Sequence, residues 1–210
     1  MGIFKSISFN RIDTIAIVLF SVYALLKGEI TVFYMLHLFW WQTLIHVIVN
    51  TIKTLFIKRS APYRSKVLRY FGENMFLLII YLIFVVLLFG IVLNFNNNHL
   101  AAINMEVILF MNWSFNFNLI VFLITAIFFD RNYVDDVKNF TNAFFPRNII
   151  LHISIILGAF LHFFVIYRFP NLFASEINWG SVLVISPFLI LRVIFDIYVY
   201  PINSKKNLPI

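Results

Sequence analysis

Gln42, His46, Asn50 and Lys53 recur at intervals of four, four and three residues inside a long apolar run. Those intervals place all four side chains on one face of a helix. Two amides, an imidazole and an ammonium on one face can donate hydrogen bonds to a small polar or anionic species. Polar side chains are costly in hydrocarbon, so this face should look into a bundle or a wet cavity. Arg192 and Asp196, spaced i and i+4, form a second constellation. They can close on each other as an ion pair within one helix. They can also join Lys53 as the charged end of a site that takes a carboxylate or a lipid phosphate.

The remaining candidates are weaker. His46, His152 and His162 carry no carboxylate at ligand spacing, so they are expected to be satisfied core histidines. No metal and no cofactor is expected. Asn112 with Asn116, and Ser114 with Asn118, fall at i, i+4 and suit interhelical hydrogen bonds. Trp40, Trp41, Trp113 and Trp179 suit an interfacial aromatic belt. Pro187 removes one backbone hydrogen bond just ahead of Arg192, which can kink that helix and free a carbonyl. The chain contains no cysteine. Nucleophile elbows, His-Glu-x-x-His pairs and phosphate-binding glycine loops are also missing, so no catalytic residue is assigned.

These side chains need elements to hold them, and composition says which. Of 210 residues, 62% are apolar and only 12% are charged. The mean hydropathy is +0.92. Soluble domains are about 25% charged, so the chain reads as an all-α integral membrane protein. Six spans are expected, at about 12–27, 30–56, 74–95, 107–129, 148–167 and 181–200, within one domain over 1–210. The 27 Phe against 6 Gly predict helices held apart by aromatic side chains, with Ser154 and Gly158 as a close-packing exception.

Charge sets the orientation. With both termini inside, 13 of the 16 basic residues fall on the cytoplasmic side, six of them between Lys53 and Arg69. Only Lys27 and Arg168 fall outside, and Arg192 lies within a span. This bias predicts a multi-pass protein of the cytoplasmic (inner) membrane with both termini cytoplasmic. The net charge of +7 is then assigned to loops at an anionic leaflet, and not to nucleic acid. In this orientation Lys53, Glu73, His152, Arg192 and Asp196 share the cytoplasmic half.

Phe39-Trp40-Trp41-Gln42, then Asn50 and Lys53, followed near the end by Arg192 and Asp196, resemble the signature of a family of polytopic bacterial membrane proteins of unknown function. Its members show an aromatic-Trp-x-Glu start, Asn eight and Lys eleven residues beyond the Glu, and a basic residue with Asp four later in the last span. Here Gln42 replaces the acid and Arg192 stands where Lys is common. The resemblance covers two helices and implies no activity.

The leading expectation is a polar cavity between the second, fifth and sixth spans that binds or passes a small polar or anionic species. Gln42, His46 and Asn50 would line it, with Lys53, Arg192 and Asp196 setting charge. Its partners would be the bilayer and a small anionic ligand or lipid headgroup. One alternative is an accessory or assembly subunit whose polar stripe pairs with a membrane-protein partner. Another is a lipid-modifying enzyme with Ser154 or Ser186 as nucleophile.

Overall fold

The computed structural model describes residues 18–19, 21–57, 61–92, 98–128, 146–169 and 179–194. Among these the fold is all-α, without a strand. Helix α1 covers 21–27, and the further elements are α2 (Val32–Ile57), α3 (Ala61–Phe84), α4 (Asn98–Ile108), α5 (Trp113–Phe128), α6 (Pro146–Leu161) and α7 (Trp179–Ile194). Wider π turns continue α3 over Val85–Ile91 and α6 over His162–Ile166. Among the described residues four stretches are long and apolar enough to cross a membrane: Val32–Phe56, Arg64–Ile91, Asn98–Phe128 and Asn148–Ile166. Their exposed side chains fit a membrane protein. On α3 the outward line is Phe76, Ile79, Ile83 and Leu87, the kind of surface that lipid, and not water, solvates.

Two of the expected helix limits differ. The third helix starts at Ala61, not near residue 74, so Arg64, Lys66 and Arg69 belong to it and not to a loop. Lys, Arg and Leu are good helix formers, and Pro62 sits in the first turn, where it is tolerated. Arg69 Nε donates to Glu73 Oε1 at 2.8 Å, an exposed i, i+4 pair that engages Glu73 on its own helix. The apolar run 107–129 is not one helix either: it breaks at 109–112 between α4 and α5. The span limits expected at 12–17, 95, 129 and 195–200 lie outside the described residues, as do both termini.

Contacts group the chain into two compact units, Phe33–Leu151 and a second made of Met1–Val32 with His152–Ile210. In the first, Phe33, Leu36, Val47, Leu78, Phe89 and Phe115 are fully enclosed around α2. Gly90 allows Phe33 to approach α3: a Cβ there would stand 3.2 Å from the Phe33 ring. Where the π turn loosens the backbone ladder, Asn104 Nδ2 of α4 donates to the Gly90 carbonyl at 3.1 Å. At the other end of α3, Asn74 Nδ2 donates to the Tyr70 carbonyl at 2.8 Å and Asn148 Nδ2 donates to Asn74 Oδ1 at 2.6 Å.

In the second unit, α1 ends on Gly28 at φ 72°, with Gly28 N–H donating to Leu25 O and Glu29 N–H to Ala24 O. Only glycine takes that left-handed conformation freely. Ser154 and Gly158 are both buried there, as a small-residue seam requires. In α7, Pro187 cannot donate to Leu183 four residues back, and Ser186 Oγ donates to that carbonyl instead at 2.8 Å. Ser186→Ala is therefore expected to cost about 1 kcal/mol. In a Pro187→Ala background, where a backbone N–H is restored, it should cost much less. A double-mutant cycle of reversible unfolding in detergent measures this coupling.

Candidate functional site

The polar face of α2 is turned inward. His46 and Asn50 are each 4% exposed, Gln42 and Lys53 are half-buried, and the exposed line of α2 is Ile48, Ile52 and Phe56. Buried Thr43 and Thr51 return their hydroxyls to the carbonyls of Phe39 and Val47, four residues back, so they cost the core no unpaired donor. Asn50 differs from them: its Nδ2 is enclosed and has no hydrogen-bond partner among the described residues. A buried amide without an acceptor costs about 1–3 kcal/mol.

Lys53 reaches across to α5, where Nζ donates to the Ala126 carbonyl at 2.7 Å. Ala126 lies in the last described turn of α5. The ammonium is thus held by α5 as much as by its own helix. Toward the start of α2, Asn118 Nδ2 donates to the Tyr34 hydroxyl at 3.0 Å, which ties α5 to α2 a second time.

A second constellation, which the sequence reading missed, centres on His37. The ring is 4% exposed. It stacks with Phe33 at 5.0 Å and Phe115 at 5.5 Å, and Trp41 Nε1 donates to its Nε2 at 3.1 Å. Indole only donates, so Nε2 must be the bare nitrogen and the neutral ring carries its proton on Nδ1. Nδ1 is enclosed with no partner among the described residues. The signal was available in sequence: Phe33, His37 and Trp41 are spaced four apart on one helix face.

The tryptophans divide. Trp40 is interior, with Nε1 donating to the Leu78 carbonyl of α3 at 2.7 Å, and Trp41 spends its N–H on His37. Neither is the interfacial anchor expected of it. Trp113 is 79% exposed and fits that role. The asparagines of the broken run also act locally. Asn112 Oδ1 accepts from Phe115 N–H at 3.0 Å as the cap of α5, and Asn116 Nδ2 donates to the Phe110 carbonyl at 2.6 Å. Only Asn118 makes the interhelical bond.

Arg192 belongs to the second unit, half-buried, with its guanidinium 6.0 Å from the Phe188 ring centre. Asp196 lies outside the described residues, so its pairing with Arg192 does too. His152 is exposed and His162 half-buried in the same unit. Among the described residues no three His, Asp or Glu side chains gather as metal ligands would.

No curated protein and no solved structure matches this chain. A family of unknown function (DUF6498) matches residues 5–208, well beyond the two helices that carried the resemblance in sequence, and the chain belongs to that family.

Proposed function

We propose that the inward polar face of α2 binds or passes a small polar or anionic species in the membrane. The observation that carries this reading is Asn50, a buried amide whose Nδ2 has no acceptor among the described residues. Lys53, three residues on, supplies an ammonium at the end of α5. Two donors so placed suit a carboxylate or phosphate oxygen. The reading rests on α2 and α5 alone. Burial of His46 and Asn50 weighs against the accessory-subunit reading, which needs this stripe free for a partner's helix. Ser186 spends its proton on Leu183, which weighs against it as a nucleophile. The charge bias supports a cytoplasmic-membrane location with both termini inside.

Purified full-length protein in detergent tests this directly. Sodium acetate or inorganic phosphate should raise its unfolding free energy relative to chloride at equal ionic strength. The rise is about 2.7 kcal/mol once the anion reaches a hundred times its Kd. Asn50→Leu should weaken that binding by about ten- to a hundredfold, since a lost hydrogen bond to a charged group is worth about 1.5–3 kcal/mol. If neither anion shifts the wild-type transition, the proposal is wrong.

A further inference from the structure

The stretch 98–128 has the length and composition of a single long span, but its backbone does not behave as one. α4 ends in a closed turn: Met111 N–H donates to the Glu106 carbonyl at 2.7 Å and Phe110 N–H to the Val107 carbonyl at 3.2 Å. Phe110 takes φ 57°, the conformation that α1 gives to glycine. For phenylalanine that conformation is strained. Its ring is held against Trp41 at 5.3 Å and Phe115 at 6.1 Å. Asn112 and Asn116 then satisfy the groups that the turn leaves open, so the corner is a built feature.

Asn104 and Val107 of α4 are buried. Asn98, His99, Ala102, Met105 and Glu106 are exposed. In helical projection Met105 lies at one edge of that exposed arc, beside Asn98 of the first turn, with Glu106 and His99 at the other. A helix crossing the bilayer would press Glu106 into acyl chains. One lying in the interfacial plane would give Met105 to lipid and Glu106 to water. Trp113, at the corner, supplies the indole that such a boundary favours.

The geometry points to α4 as a helix lying in the membrane–water interface against lipid headgroups, with the crossing left to the helix that begins at Trp113. This rests on the membrane-spanning reading of α3 and α5, and not on the anion site. The absence of cysteine makes single-cysteine probing clean. Full-length Glu106→Cys, His99→Cys and Ile120→Cys, in phosphatidylcholine vesicles opened to both faces, should be treated with a membrane-impermeant maleimide. The first two should label at least tenfold faster than Ile120→Cys, whose site is an exposed apolar position of α5. A nitroxide at Ala102→Cys should respond to both oxygen and a nickel chelate, as groups at headgroup depth do. Labelling of Glu106→Cys as slow as Ile120→Cys, or a nitroxide relaxed by oxygen alone, overturns the interfacial placement. Fast labelling at Ile120 overturns it too, by removing the membrane reading of α5. Acetate or phosphate binding is untouched by either result.

Discussion

Trp40→Ala is expected to destabilise the protein by about 3–5 kcal/mol, the range for removing a large buried aromatic side chain. Trp40 is 5% exposed, meets Trp41 edge-on at 5.1 Å, and spends its N–H on the Leu78 carbonyl at 2.7 Å. The loss has two separable parts. Trp40→Phe keeps most of the ring and deletes the hydrogen bond, so it should cost about 1 kcal/mol for that bond plus a smaller cavity term. Trp113→Ala is the control: an indole that exposed should change stability by no more than about 0.5 kcal/mol. Reversible unfolding in mixed micelles, followed by far-ultraviolet circular dichroism, measures all three. Equal values for Trp40→Ala and Trp113→Ala would mean that Trp40 is an interfacial side chain after all.

That contrast marks what the residues alone could reveal. Apolar runs placed α2 within two residues, because hydropathy reports the solvent of a helix and lipid demands a long unbroken stretch. Pro146 announced the start of α6 for the reason that proline suits a first turn. Hydropathy did not distinguish Trp40 from Trp113, since both are aromatic and near polar boundaries. Their difference is where the indole N–H goes, and a carbonyl 38 residues away is invisible in a linear pattern. The corner after α4 was hidden for another reason. Residues 107–129 are mostly apolar and uncharged, with asparagines that suit a span as well as a turn, and a left-handed Phe110 leaves no compositional trace. Asn112 was the available clue, as a capping residue type ahead of a fresh apolar run.

The candidate site shows the same division. The spacing of Gln42, His46, Asn50 and Lys53 located a polar face, and enclosure of the middle two agrees with the cost of polar groups in lipid. The acceptors that these helices use could not be read. Trp40, Asn104, Lys53 and Ser186 each send a side-chain donor to a backbone carbonyl: mid-helix at Leu78, in a π turn at Gly90, at a helix end at Ala126, and opposite a proline at Leu183. At Gly90 and Leu183 the backbone has loosened or lost its own bond. A chain with 6 glycines in 210 residues has few places for backbones to touch, and side chains that reach neighbouring carbonyls join its helices instead.

Lys53 carries both arguments at once, and its substitution is the sharpest separation of them. Lys53→Met keeps the aliphatic stem and deletes the ammonium, leaving the Ala126 carbonyl without the donor it now has at 2.7 Å. A hydrogen bond from a charged group is worth about 1.5–3 kcal/mol, and the loss should appear at that scale in detergent unfolding. Lys53→Arg keeps the charge and should recover most of it. Under the proposed function the same Lys53→Met protein should lose acetate and phosphate binding by more than tenfold, beyond the loss at Asn50→Leu, because a full charge is removed. The two readouts are independent. A structural tether alone predicts lower stability in Lys53→Met with anion binding unchanged at temperatures where the variant is folded. Loss of binding in Lys53→Met, with Asn50→Leu also weakened but near wild type in stability, is the result that only an anion site on this face explains.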